Sequence, residues 1–310
     1  TTLAPRSCSP TGGTPPGSTI KPFVALAGLE SGLRKPEDKI YSSGEFFLPG
    51  QRRGYRDSHR GGHGMVDLYS SISESVNTYY YKLAMDMGIV RFDDYMRRYG
   101  FGQPTGIDLI GEVSGIVPSP QWKRTRFKQP WFLGETVIAG IGQGYWVVTP
   151  LQLAQGTAGL ANGGLRKSLR LVQQSRVGLN QPWKTLPKPE PTSFGATPQQ
   201  LQAINRGMQM TMHTPRGTGY AIGAGSPYRI AGKTGTVQKI SRKGNISMDP
   251  KNLPLHLRHQ ALFIGYAPAD DPKIAVAVIV EHGGYGASSA GPIARRMMDA
   301  YLLKTPSPAK

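Results

Sequence analysis

A serine and a lysine three residues apart, Ser18 and Lys21, stand at the head of the apolar stretch "PPGSTIKPFVALAGL", residues 15–29. On a helix that spacing puts both side chains on one face. An alcohol beside an amine suits acyl transfer. The hydroxyl is a poor nucleophile until an adjacent base takes its proton, and a lysine becomes such a base when its pKa is lowered. A structural reading fits the same two residues, with Ser18 as an N-cap and Lys21 as a surface lysine whose stem lies along the protein. Ser307 and Lys310 repeat the spacing in a Pro-rich tail, so the pair alone decides nothing.

Two further stretches favour the chemical reading. Ser75-Val76-Asn77 opens a helical segment, and Lys233-Thr234-Gly235-Thr236 lies on a β-rich one. Each has a bland alternative, a cap for the first and a bent strand for the second. The three together, in this order, form the set of serine, lysine and asparagine motifs known from enzymes that acylate a serine.

The elements that must carry them follow from periodicity. Ile20, Phe23, Val24 and Ala27 form an apolar stripe, which predicts a helix over about 18–30 with one face on a core. Residues 31–64 are glycine-dense and irregular. "SVNTYYYKLAMDMG" predicts a helix stopped by Gly88, and "RFDDYMRRYG" a shorter one stopped by Gly100. Thr197-Pro198-Gln199-Gln200 is a capping box, followed by the apolar positions Leu201, Ile204, Met208 and Met212. "YRIAGKTGTVQ", "HQALFIGYA" and "KIAVAVIVEHG" read as strands, and "GPIARRMMDAYLL" as a closing helix. Helices, then successive strands, then a helix predict an α+β fold, an antiparallel sheet covered by helices beside a mostly helical subdomain. Residues 172–196 read as an exposed excursion.

With 310 residues, the chain has room for one large domain or two modest ones. It carries 37 Lys and Arg against 19 acidic residues, a net charge of +18, which points to a polyanionic neighbourhood. The densest basic run, Trp122-Lys123-Arg124-Thr125-Arg126-Phe127-Lys128, interleaves aromatics as a nucleic-acid strip would, but reads better as a solvated, partly packed loop. The lone Cys8 excludes an internal disulfide framework. No GxGxxG or P-loop appears, so no nucleotide is implied, and no apolar run reaches the length of a membrane span.

On the three motifs, the chain resembles the transpeptidase domain of class B penicillin-binding proteins, and among them the elongation-type members. "PPGSTIKP", "WKRTRFKQPWFLGET", "GIGQGYWVVTPLQLA", "GTGYAIG" and "GKTGTVQ" carry the likeness, from Pro15 to about Leu303. It implies a penicillin-binding, serine β-lactamase-like fold over 15–303, with 1–14 as a flexible lead-in and 304–310 as a disordered tail. Residues 1–13 do not look like the family's approach to the nucleophile. The membrane anchor and N-terminal pedestal that the family leads one to expect are not in the sequence, which suggests a shortened or engineered chain.

The resemblance also implies roles. Ser18 attacks the penultimate D-alanine carbonyl and Lys21 accepts its proton. The N–H groups of Ser18 and Thr236 receive the oxyanion. Ser75 passes a proton to the leaving D-alanine. Lys233 is expected to act as the second cation that, with burial, lowers the pKa of Lys21. Asn77 binds the donor peptide's backbone, and Thr234, Gly235 and Thr236 with Lys233 hold its terminal carboxylate. Expected partners are peptidoglycan stem peptides, β-lactams, and a membrane glycosyltransferase with other elongation proteins, at the periplasmic face of the bacterial inner membrane. No cofactor and no nucleic acid are expected.

Asp57, His59 and His63 invite a metal reading, since some relatives are thought to hold zinc near Ser-x-Asn. A sound site wants a fourth ligand, yet that position is Val76, and Cys8 lies in the lead-in. No metal is therefore expected. Two alternatives share the fold: a D,D-carboxypeptidase or serine β-lactamase, and a β-lactam sensor domain.

Overall fold

A computed structural model describes residues 13–238 and 253–303. The lead-in up to residue 12 and the tail from 304 lie outside the described residues. Thr14 belongs to the packed body: its backbone pairs with Val148 in both directions, at 3.0 and 2.8 Å, and its hydroxyl bonds Gln260.

The nucleophile stretch begins as a 3-10 turn, Gly17–Ile20, and continues as α1, Lys21–Glu30. Every residue of α1 from Lys21 to Leu29 is buried. The one-sided stripe expected from the sequence therefore understates the helix. Ala25, Gly28 and Leu29 fill the remaining faces, and α1 is enclosed on all sides, as helices apolar all round are. It packs against α3 (Asn77–Met87), α4 (Ile89–Arg98) and α8 (Pro198–His213), with α2 (Leu68–Ser73) at its edge. The irregular stretch before α2 holds two small ribbons, β1 (Ile40–Ser42) with β4 (Gly64–Val66) and β2 (Glu45–Phe46) with β3 (Tyr55–Arg56). The capping box at Thr197 is present, and Leu201, Ile204, Met208 and Met212 are buried as expected.

The basic run at 122–128 corrects the loop expectation. Residues 122–127 lie in α5, Pro120–Phe127, capped by the Ser119 side chain accepting from Trp122 N, and Lys128 is its left-handed C-cap. Lys123 is buried against Glu135 of α6 (Leu133–Ala139), an ion pair at 2.5 Å, so its charge marks a partner rather than solvent. A further helix, α7 (Pro150–Ala161), follows a Thr149 capping box. The excursion at 172–196 is mostly exposed, as expected. It is folded into ribbons of β5 (Leu165–Arg166) with β8 (Thr192–Ser193), and β6 (Gln174–Ser175) with β7 (Lys184–Thr185).

After the short α9 (Tyr220–Gly223) come the strands that build the main sheet: β9 (Ala231–Val237), β10 (Gln260–Ala267) and β11 (Ile274–Val280), antiparallel in the order β11-β10-β9. The closing helix is α10, Ala290–Leu302. Alternation along β10 separates two cores. Leu262, Ile264 and Tyr266 join the core that holds α1, while Ala261, Phe263 and Ala267 join a second one under α10. Both faces being covered explains why β10 and β11 read as unbroken apolar runs.

Candidate active site

Among the described residues strand β9 pairs with β10 alone, and the 3-10 turn holding Ser18 lies along its other edge. Two glycines permit the approach. Gly17 has φ +52°, and a Cβ there would sit 2.8 Å from Thr236 O. A Cβ on Gly235 would sit 2.7 Å from the Thr19 methyl. Gly17 N also donates to Gly142 O at 2.9 Å, which fixes the turn from behind.

Thr236 O points out of the sheet toward Gly17 and accepts from Gln143 Nε2 at 3.3 Å. In an extended strand the N–H of a residue points to the same edge as its C=O. Thr236 N–H is thereby aimed at the space beside Ser18. Register sets the rest of the motif. Lys233 stands opposite Ile264 and so points into the α1 core, whereas Thr234 stands opposite Phe263 on the other face. Thr234 Oγ1 meets Thr218 Oγ1 at 2.6 Å.

One turn after Ser18, the Lys21 amine is fully buried. Its hydrogen bonds all go to the Ser-x-Asn segment: Ser75 O at 2.7 Å, Ser75 Oγ at 3.2 Å and Asn77 Oδ1 at 2.7 Å. Burial lowers its pKa to about 7, against the opposing pull of Asp57. Lys233 is held well below the ordinary lysine value, by burial first and by the Lys21 charge second. Burial is the largest influence on both amines, and the charge repulsion couples Lys233 to Lys21. Ser75 has φ +60°, a left-handed conformation that costs a non-glycine residue about 1–2 kcal/mol.

The structure brings Lys21, Ser75 and Asn77 into direct contact, sets Ser18 one helical turn away, and lays the strand carrying Lys233–Thr236 against the turn that holds Ser18. It gives Asp57 a different place from the metal reading. Asp57 Oδ1 accepts from Asn77 N and Ser58 N, both at 2.7 Å. Its Oδ2 accepts from Thr78 N at 2.9 Å, Thr78 Oγ1 at 2.6 Å and Ser42 Oγ at 3.0 Å. Both oxygens therefore serve to cap α3 and brace β1, an anion at a helix N-terminus. Burial alone would raise the Asp57 pKa, but Thr78, Asn77 and Lys21 together hold it below the ordinary value. His63 meets Glu74 and Ser58, and His59 meets Gly62 O. With these donors committed, the trio does not fit a metal ion, and among the described residues no other group of three or more such side chains does.

Asp57 as a cap, Gln143 behind Thr236, and Thr218 against Thr234 are roles the sequence reasoning missed. "GIGQG" and "GTG" lay within stretches already noticed, but nothing local tied them to the cleft.

A serine-lysine pair at the head of a buried helix therefore lies beside a Ser-x-Asn turn bonded to that lysine and a Lys-Thr-Gly edge strand, the three motifs of a penicillin-binding fold. The chain belongs to the family described as the penicillin binding protein transpeptidase domain, which matches residues 6–299. Among its curated relatives is the peptidoglycan D,D-transpeptidase MrdA of Haemophilus influenzae, 40% identical over 94% of this chain and 44% of that protein. MrdA of Escherichia coli K12 is 37% identical over 93% of this chain and 45% of that protein. The chain thus spans less than half the length of these relatives. The structure of Pseudomonas aeruginosa PBP2 in complex with WCK 5153 superposes with a TM-score of 0.82 at 41% identity, covering 99% of this chain and 65% of that one. Helicobacter pylori PBP2, solved in complex with MreC, gives 0.80 at 32% identity over 97% of this chain and 51% of that one.

Proposed function

We propose that the chain is a D,D-transpeptidase that cross-links peptidoglycan stem peptides through an acyl-enzyme on Ser18. The observation that carries this reading is Lys21. It is an amine with a pKa of about 7, sealed from solvent and bonded to Ser75 and Asn77 one turn from a serine. Near neutral pH a large fraction of it is unprotonated, which a general base requires.

Ser18 Oγ attacks the carbonyl of the penultimate D-alanine and its proton passes to Lys21 Nζ. The tetrahedral oxyanion lies between the N–H groups of Ser18 and Thr236. On collapse the C–N bond breaks. The proton travels from Lys21 through Ser75 Oγ to the leaving amine, and free D-alanine departs. An amine of a neighbouring stem then attacks the ester and gives its proton back along the same route, so that an amide forms and Ser18 is regenerated. Thr234, Thr236 and Lys233 hold the terminal carboxylate, Gly235 leaves room for the turn, and Asn77 binds the donor backbone.

The wider setting is also proposed: work at the periplasmic face of the inner membrane, during elongation, beside a glycosyltransferase and scaffold partners. The complex of the H. pylori relative with MreC supports it, as does the +18 charge beside an anionic polymer. β-Lactams, as mimics of the D-Ala-D-Ala end, are expected to trap Ser18. No described helix is long and apolar enough to cross a membrane.

The test is intact mass after incubation with a penicillin, with peptide mapping of the adduct. One penicilloyl group on Ser18, lost in Ser18→Ala with the melting temperature kept, is expected. An adduct on Ser75 or Ser307 overturns the reading.

A further inference from the structure

One carboxylate outside the proposed chemistry stands between the Ser-x-Asn segment and the residues that flank the Lys-Thr-Gly strand. Glu74 immediately precedes Ser75, and its side chain is 11% exposed. Glu74 Oε2 accepts from Arg216 Nη2 at 2.7 Å and lies 3.1 Å from His63 Nδ1. The other ring nitrogen of His63 meets Ser58 Oγ at 3.1 Å, and Ser58 N donates to the Asp57 carboxylate that caps α3. A continuous run of hydrogen bonds therefore links the cap beneath Asn77 to the residue before Ser75.

On its other side the run reaches the third motif. Two residues beyond Arg216, Thr218 N donates to Ser73 O at 3.0 Å, and Thr218 Oγ1 meets Thr234 Oγ1 at 2.6 Å. Glu74 stands where these two arms meet. Between its fixed neighbours, Ser75 keeps a left-handed backbone that few serines adopt, and directs its hydroxyl to Lys21 Nζ at 3.2 Å.

We propose that Glu74 is a positioning residue: held by His63 and Arg216, it orients the Ser75 hydroxyl toward Lys21 and keeps the Ser-x-Asn turn in register with the Lys-Thr-Gly strand. The proposal rests on the reading that Ser18 is acylated with Lys21 and Ser75 moving the proton. It separates Glu74 from a residue that merely stabilises the fold, because its effect must pass through Ser75.

The experiment measures penicillin acylation by intact mass for wild type, Glu74→Ala, Arg216→Ala, Ser75→Ala and the Glu74→Ala/Ser75→Ala double variant, with initial binding and acylation constants resolved separately. Glu74→Ala is expected to slow the acylation step about tenfold with initial binding within about threefold. In the Ser75→Ala background the same change should alter the rate by no more than about twofold, the signature of two residues acting as one unit. Arg216 is 72% exposed, so Arg216→Ala leaves the fold intact and should give a smaller loss, about threefold, in the same step. Should Glu74→Ala prove too unstable to assay, Arg216→Ala with its own Ser75→Ala cycle decides. Wild-type rates in both single variants overturn the proposal. So does a tenfold loss that persists without the Ser75 hydroxyl. A wild-type chain that gains no adduct at all sinks the underlying reading instead.

Discussion

The carboxylate of Asp57 sits beneath the first turn of α3, with its Oδ1 2.7 Å from Asn77 N, although the two residues are 20 apart in sequence. One charge thus fixes the helix that carries Asn77 and at the same time pulls the Lys21 pKa upward.

That double role makes Asp57→Asn informative. Asn keeps a side chain that accepts from α3 but removes the charge that raises Lys21, so the amine should lose its proton at lower pH. The acid limb of the acylation rate against pH, expected near 7 in wild type, should move down. An unmoved limb would mean that Asp57 acts on the helix alone.

Stability against acid gives a second test of the same residue. The folded Asp57 carboxyl lies below its ordinary value of 3.8, so its contribution is fully present above that value and is lost as pH falls through the folded pKa. Wild type should lose melting temperature on acidification below about pH 4 more steeply than Asp57→Asn. Parallel curves would contradict the assignment.

Lys21 gives the same slope in a different pH window. Its folded pKa of about 7 lies below the ordinary 10.5, so the unfolded chain binds more protons between these values, and stability due to this group rises with pH across that window. The difference in melting temperature between Lys21→Met and wild type should therefore favour the variant more at pH 6 than at pH 10. In kinetics, Lys21→Arg should be nearly as slow as Lys21→Ala, a loss of about 10²-fold or more, because arginine does not release its proton. An arginine variant within about tenfold of wild type would reduce Lys21 to a positioning role.

Lys233→Ala should slow acylation by a carboxylate-bearing β-lactam about 10²-fold, as expected for one lost charged contact of about 3 kcal/mol. An analogue with that carboxylate esterified should lose much less. Burial is the largest cause of the low Lys21 pKa, so the acid limb should move little. A limb that moves to clearly higher pH would show Lys233 acting as the second cation expected from the sequence.

Gly235→Ala tests the closeness of turn and strand. The new methyl would lie 2.7 Å from the Thr19 Cγ2 atom, and the turn carrying Ser18 must move to admit it. Acylation should fall about tenfold or more, the scale expected when a nucleophile is displaced by a fraction of an ångström. Adding Thr19→Ser, which deletes that methyl but keeps the hydroxyl bond to Pro16 O, should recover part of the rate. No recovery would place the obstruction elsewhere.

What could be read from the sequence was what short-range chemistry dictates. The Thr197 capping box, the apolar face from Leu201 to Met212, the three late strands and the three motifs all depend on neighbours a few residues away. The helix at Pro120–Phe127 was missed although Ser119-Pro120 is an ordinary helix start. Its charges suggested solvent, and the partner that buries Lys123 is Glu135, beyond the helix end. The burial of α1 on all sides, Asp57 under α3 and Thr218 against Thr234 are long-range facts. They depend on which surfaces meet, and periodicity along one segment does not encode that.

Strand β10 gives alternate side chains to two cores, the one around α1 and the one under α10. Neither can melt while the other keeps its wall, because peeling β10 away exposes apolar surface on both faces at once. Heating should therefore produce a single calorimetric transition, with equal van't Hoff and calorimetric enthalpies, rather than separate steps for the helical and sheet halves. Through that shared strand, packing changes under α10 at Met298 reach the stability of the cleft, although α10 contributes no residue to it.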